Sequence, residues 1–278
     1  PNLQTPASDF CKEEVNKLNS NGIRGQLAQH LRDLSTPDLV WESEQLAKSC
    51  GIYLEFNRAQ TGEEKDWMYM IRISIPGGGP LNRSQWMLID ELSDKYTKDT
   101  EGHPSIRLTN RQNIQFHWIK KPHVIEVVKR LAESGLNTLN GCGDNTRNVM
   151  GCPASRFSDV YNAHARALKA GRYFQLPLDP FIEIFSIDPQ YVRRPEESFA
   201  YGPNLLNRKF KIAFSTVHRD PQTGKIVPDN CVELLTHDMS VAPIVENGKV
   251  FLFQVYIGGG QGERNGKPSG AMLGQPFC

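Results

Sequence analysis

Between residues 140 and 155 the chain reads Asn-Gly-Cys-Gly-Asp-Asn-Thr-Arg-Asn-Val-Met-Gly-Cys-Pro-Ala-Ser, a run that neither a helix nor a strand sustains. Glycines at 141, 143 and 151 and Pro153 punctuate it, and helix-like runs end at Gly135 before it and start near Ser155 after it. Any fold must therefore break here. A loop so rich in glycine lets its backbone approach closely and lie flat against a bulky partner, with Asp144 and Arg147 aimed from it.

The break divides the chain. Residues 1–66 read as a helical N-terminal extension: Thr36 is placed to cap a helix with Pro37 and Asp38 in its first turn, Leu39, Val40, Leu46 and Ala47 facing inward, and Gly51 as the stop. Gln60 to Lys65 is a polar turn. From 67 to 139 the pattern is strand (Trp67 to Pro76), helix (capped by Asn82 with Gln85 three residues on), strand (Ser105 to Thr109), strand (Ile114 to Ile119) and helix (opened by Pro122, ended by Gly135). From 140 to 278 the reading is mixed α/β. A helix is expected over Phe157 to Leu168, stopped by Gly171, with strands near Phe181 to Ile187, Lys209 to Val217 and Val241 to Ile257, the last broken by an Asn247-Gly248 hairpin. Long proline-rich loops are expected at Pro189 to Pro203 and Arg219 to Pro228. The fold class is α+β.

Composition bears mainly on what the chain does not bind. Lys and Arg number 32 against 31 Asp and Glu, a net charge of +1, so no global field draws the protein to nucleic acid or to an anionic membrane. No window is apolar enough to span a bilayer. Six cysteines at 11, 50, 142, 152, 231 and 278 are scattered, and the first twenty residues lack a signal-peptide core, so the expected compartment is the reducing cytoplasm. Cys142 and Cys152 read as separate lone thiols, not as a tight metal-binding pair.

The glycine clusters at 77 to 79, at 141 and 143, and at 258 to 262 do not complete a dinucleotide fingerprint, and neither a P-loop nor a nucleophile elbow is present. What remains is a set of cations at places that should be apolar. Arg72 interrupts a strand of Met, Ile and Tyr, where a charge is costly unless it is paired or meets a ligand. Arg107, Thr109 and Arg111 share a strand parity, as do Lys209 and Lys211. Taken with Arg147, these cations are expected to converge on a polyanion. His117, in a strand beside Phe116 and Trp118, reads as a packed histidine and not as a ligand.

Ser105-Ile-Arg107-Leu-Thr109-Asn-Arg111-Gln, Asp144-Asn-Thr-Arg147-Asn-Val, Asn207-Arg-Lys209-Phe-Lys211 and Gly258-Gly-Gly, in this order and spacing, resemble the N-terminal half of the sirohaem-dependent sulfite and nitrite reductases. The likeness spans about residues 67 to 270. It implies a ferredoxin-like half-domain at 67–139 and a sirohaem-binding α/β domain at 140–278. Arg72, Arg147, Lys209 and Lys211 would face the bound sulfite or nitrite, and Arg107, Thr109, Asn110, Arg111, Gln112 and Asp144 would hold the macrocycle. Family members carry a further half with four cysteines that bind a 4Fe-4S cluster; the expectation is that this chain is a fragment without that half, inactive alone, supplied with electrons by ferredoxin or a flavoprotein.

Arginine forks suit oxyanion oxygens, while lysines are compact charges that can also pass on protons. Lys211 points to sulfite, since plant-type nitrite reductases tend to carry Asn there; Gly143 and the Gly151-Cys-Pro sequence point to nitrite. Two other classes of function stay open, an RNA-binding sheet and a non-catalytic tetrapyrrole carrier, although Phe116 and Phe210 have the wrong parity to stack bases beside the cations.

Overall fold

The computed structural model describes residues 6–60, 65–188, 190, 202, 205–229, 231–264 and 267–278, with backbone alone at 7 and within 261–271. Two units emerge. One draws on the stretches up to Ser74, 80–145 and 175–209, the other on 75–79, 146–174 and 210–278.

The first unit holds helices α1 (Lys12–Asn19), α2 (Leu27–Arg32) and α3 (Trp41–Ser49), then strands β1 (Ile52–Phe56) and β2 (Trp67–Ile73), helix α4 (Arg83–Tyr96), strands β3 (Ile106–Leu108) and β4 (Ile114–Ile119), and helix α5 (Lys121–Glu133). The strands form an antiparallel sheet in the order β1-β2-β4-β3. Alternation along β2 and β4 sends Ile71, Ile73, Ile114 and Phe116 to one face, all buried, where α4 and α5 supply Ile89, Leu92, Val124, Val128 and Leu131. Burying each such side chain stabilises by about 1.5–3 kcal/mol. Helix α4 starts as its sequence demands: Asn82 accepts from the Gln85 backbone N–H at 2.9 Å, and the Gln85 side chain accepts from the Asn82 N–H at 3.0 Å. Among the described residues, β1 falls within the segment expected to be helical and makes the sheet edge beyond β2.

The expected helix at Thr36 is not formed; α3 begins at Trp41, and residues 35–38 are bends. The carbonyls that would have started it serve other partners. The Lys121 ammonium, almost wholly buried, donates to Thr36 O and Asp38 O, each at 2.8 Å, and Tyr69 Oη donates to Pro37 O at 3.0 Å. Phe181 to Ile187, expected as a strand, belongs to a helix at Leu178–Phe185. Phe181, Ile184 and Phe185 are buried together, the i, i+3, i+4 spacing of a helical stripe, which the local alternation of apolar and polar residues had masked.

In the second unit, β5 (Met150–Gly151), β6 (Ile212–Phe214), β9 (Met239–Glu246), β10 (Lys249–Ile257) and β13 (Gln275–Pro276) form a mixed sheet ordered β13-β10-β9-β6-β5, parallel across β9, β6 and β5. Strands β7 (Thr216–Arg219) and β8 (Ile226–Asp229) pair as a hairpin, as do β11 (Gly260–Arg264) and β12 (Lys267–Met272). The β9–β10 turn is the expected one, with Asn247 at φ 50° and Gly248 at φ 80°. Two expectations fail. The loop foreseen over Arg219 to Pro228 is the β7–β8 hairpin, where Asp220 accepts from the Gln222 and Thr223 N–H groups at 2.8 Å each, bonds that hold its carboxyl below the usual range. The helix foreseen over Phe157 to Leu168 runs instead over Ala163–Tyr173, capped by Asn162. It passes through Gly171, where a side chain would press on Pro76 at 3.1 Å. The loop expected at Pro189 to Pro203 lies outside the described residues apart from 190 and 202, as does most of the turn at 60–65.

Two outcomes follow. Lys121→Met removes the buried ammonium that donates to the Thr36 and Asp38 carbonyls and should lower unfolding stability by about 1–3 kcal/mol in urea titrations; an unchanged midpoint would contradict that account. Cys50 is fully buried, and burial pushes its thiol up to about 12, so native alkylation near pH 8 should modify the exposed Cys278 and spare Cys50 until denaturant is added. Equal labelling by mass spectrometry would show the site to be open.

Candidate functional site: two cationic faces

The sheet face opposite the first unit's core carries charge. Register places Arg72 on β2 and Arg107 on β3 on either side of Gln115 on β4, so three polar side chains form one row across the strands. Arg72 is half-buried and held on two sides. Its Nη1 donates to the Gly141 carbonyl at 3.1 Å. With the Gln115 amide turned so that its oxygen faces the guanidinium, that oxygen accepts from Arg72 Nε at 2.7 Å and also from Nη2. The same orientation sets the Gln115 amide nitrogen 3.4 Å from His117 Nε2, while His117 Nδ1 lies 3.2 Å from Glu55. Arg72, Gln115, His117 and Glu55 thus form a chain of polar contacts on one sheet face.

Gly141 is required by this arrangement: a Cβ there would sit 2.8 Å from the Arg72 carbonyl oxygen and 3.1 Å from that of Thr138. The glycine-rich connector therefore lies close against its own unit.

Arg107 is exposed, and its side chain makes no hydrogen bond or ion pair among the described residues. It lines a cavity of about 450 Å³ with Glu55, Arg58, His117 and Trp118. A β-bulge shapes that wall: β4 spends two residues, His117 and Trp118, opposite Met70 alone, and Trp118 adopts φ 65°, a strained value for a bulky side chain. Bulges of this kind re-aim side chains beside functional sites.

The strand expected to carry Arg107, Thr109 and Arg111 ends at Leu108, so their shared parity does not set their direction. Residues 109–113 form the β3–β4 turn, closed by the Thr109 N–H donating to Asn113 O at 2.9 Å. Thr109 Oγ1 accepts from the Arg111 and Asn113 N–H groups at 3.3 and 3.1 Å, and Gln112 takes φ 58°. Asn110 is exposed at the tip, with Arg111 and Gln112 half-buried. Asp144 meets a cation of its own unit: the buried Lys17 ammonium lies 3.4 Å from Asp144 Oδ2 and donates to Leu206 O at 2.7 Å, while Leu206 N–H donates to Asp144 O at 3.0 Å.

In the second unit a parallel bridge joins Thr146 to Phe210, and the Arg147 N–H donates to Phe210 O at 2.8 Å. Arg147 and Lys211, both half-buried, thereby lie on adjacent chain segments. The Lys211 backbone is fixed on both sides: its N–H donates to Asp238 Oδ2 at 2.7 Å and its carbonyl accepts from Met239 N–H at 3.1 Å. Lys209 is exposed and precedes β6, so the strand parity assumed for it and Lys211 does not apply.

Sequence reasoning missed Gln115, His117, Glu55 and Arg58. The signal for the first two was present: on β4 they share the parity of the residue paired with Arg72, on the face away from Phe116.

Residues 61–134 match the nitrite/sulfite reductase ferredoxin-like half domain, and residues 142–278 match the nitrite and sulphite reductase 4Fe-4S domain. A sulfite reductase [NADPH] hemoprotein beta-component from Acidithiobacillus ferrooxidans is 34% identical over 259 residues, covering 91% of this chain and 43% of that protein. The protein of the same description from Staphylococcus carnosus is 30% identical over 261 residues, covering 91% and 43%. The chain thus spans under half the length of these curated relatives. Among solved structures, Mycobacterium tuberculosis NirA aligns over 94% of this chain and 41% of its own, with a TM-score of 0.59 at 18% identity, a likeness of fold. Two domain matches in sequence order, with relatives aligned across nearly all of the chain, show that it belongs to the nitrite and sulfite reductase family.

Proposed function

We propose that this chain is the oxyanion-binding and tetrapyrrole-binding part of a sirohaem and 4Fe-4S enzyme that reduces sulfite to sulfide. The observation that carries the reading is the face bearing Arg72, Gln115 and Arg107, where one guanidinium is locked by protein acceptors and another, without a side-chain partner among the described residues, lines a cavity. A donor set this cationic fits a macrocycle bearing many carboxylates. In the proposed division of the chain, 1–66 is an N-terminal extension, 67–139 the ferredoxin-like half-domain and 140–278 the sirohaem-binding domain.

Arg107 and Arg111, with Thr109, Asn110 and Gln112 on the turn, would hold the macrocycle's carboxylates; Asp144 acts by fixing the connector through Lys17. Bound sirohaem would supply an iron that takes the anion and passes electrons to it. Sulfite gains six electrons and seven protons to give hydrosulfide and three waters, so the chain must steady a growing negative charge and deliver protons. Arg72 and Arg147 are assigned to the oxyanion oxygens as fixed forks, and Lys209 and Lys211 to proton delivery, directly or through ordered water. A 4Fe-4S cluster takes four thiolates, and the described residues gather no such set; the electron route is assigned to no residue of this chain.

Nitrite reduction to ammonia is the second reading, favoured by Gly143 and the Gly151-Cys152-Pro153 sequence. The electron donor is proposed to be ferredoxin or a flavoprotein. The six cysteines form no disulfide, and no described helix is long and apolar enough to cross a membrane; the cytoplasm is the proposed compartment.

The test uses the whole protein that contains this chain, with reduced methyl viologen as donor. Lys211→Ala keeps the backbone bonds to Asp238 and Met239 and should lower turnover of sulfite by about 100-fold or more, with the haem absorption retained. Unchanged turnover would remove Lys211 from the mechanism, and no turnover of sulfite or nitrite by the unaltered protein would overturn the function.

A further inference from the structure

The second unit brings together three donor groups that the proposed reaction does not use. Cys152 follows β5, Asp229 ends β8 and Cys231 lies two residues beyond it. Their two sulfurs and one carboxylate oxygen all fall within 4.8 Å of one another. Cys152 and Cys231 are far apart in the chain and neither belongs to a short Cys-x-x-Cys motif, so spacing alone does not join them. We propose that Cys152, Asp229 and Cys231 form a binding site for a thiophilic divalent cation, zinc in its tetrahedral form, with water completing the coordination.

Three observations support it. The first is spacing. Zinc binds thiolate at about 2.3 Å and carboxylate oxygen at about 2.0–2.2 Å, so adjacent sulfur and oxygen corners of a tetrahedron lie about 3.5 Å apart. The Cys152 Sγ to Asp229 Oδ2 separation is 3.6 Å.

The second is orientation. Asp229 Oδ1 accepts from the Cys231 backbone N–H at 2.9 Å, which turns Oδ2 towards Cys152, and the Asp229 carbonyl accepts from Ser215 Oγ at 3.0 Å. Outer contacts of this sort fix a ligand before a metal arrives. The third is the surroundings. Cys152 is 1% exposed in an apolar cluster with Met150, Ala213 and Val232, whereas Cys231 is exposed. One side of the site is a dry wall and the other admits an ion and a water ligand.

Two thiolates and one carboxylate select against magnesium and calcium, which take oxygen ligands alone. Binding would release the thiol protons and leave the ion with a net charge near −1, offset by nothing in the ligand set itself, so affinity should rise with pH until both thiols are ionised.

The test is zinc content and zinc coordination in the purified whole protein, independent of its activity. Mass-spectrometric metal analysis of protein prepared with zinc should give about one zinc per chain. Cys231→Ser, at an exposed position, and Asp229→Asn should each remove most of it while circular dichroism stays unchanged. X-ray absorption at the zinc edge should show two sulfur neighbours at about 2.3 Å. Zinc at background in the unaltered protein would overturn the proposal, whether the two thiols are then found free or joined as a disulfide. Zinc retained in full by Cys231→Ser would overturn it as well.

Discussion

A guanidinium inside an apolar strand is the constraint on which the first unit depends. Arg72 sits among Met70, Ile71 and Ile73, and the strand tolerates it because the Gly141 carbonyl and the Gln115 amide oxygen take its donors. Hydrogen bonds to a charged group contribute about 1.5–3 kcal/mol each, enough to matter against the cost of withdrawing that charge from water. Several features follow from this one accommodation. Residue 141 must be glycine to bring its carbonyl so close, and the connector from 140 to 145 is buried in place. Gln115, pinned by Arg72, orders His117 and Glu55 beyond it.

The two arginines of that sheet face differ physically. Arg72 has protein partners and a fixed direction, so it can meet a ligand without first losing much freedom. Arg107 stands on the edge strand, its side chain without a hydrogen bond or ion pair among the described residues, beside a cavity walled by a bulge in β4. An exposed arginine is ordinary, but this one is aligned across the strands with a locked arginine and lines a cavity, the placement that the proposed anion site requires. Asp144 shows the opposite case. Its carboxylate is matched by a buried lysine, and its contribution is to hold the connector against α1 and the segment at Leu206.

What could be read from the chain was local. Asn82 with Gln85, and Asn247 with Gly248, announce a helix start and a hairpin through contacts within a few residues, and both are found. The readings that failed were decided at long range. Thr36, Pro37 and Asp38 have the composition of a helix start, but Lys121 and Tyr69, distant in sequence, take their carbonyls. Phe181 to Ile187 alternates like a strand, yet the buried set Phe181, Ile184 and Phe185 makes it a helix. Arg72 was read as a charge needing a partner or a ligand, and it has partners in Gly141 and Gln115; for Arg111 and Lys209 the parity argument assumed strands that end, or begin, elsewhere. Cys152 was legible only as a lone thiol because its neighbours come from another hairpin.

The central claim is that Arg107 serves a bound acidic cofactor and not the fold. Its direct test is Arg107→Ala in the whole protein, with thermal unfolding and sirohaem content measured side by side. The account predicts a melting temperature within about 2 °C of the unaltered apoprotein, as expected for a surface change of under about 0.5 kcal/mol, together with a several-fold loss of retained sirohaem. A fall of several degrees in the apoprotein, or full cofactor retention, would contradict it.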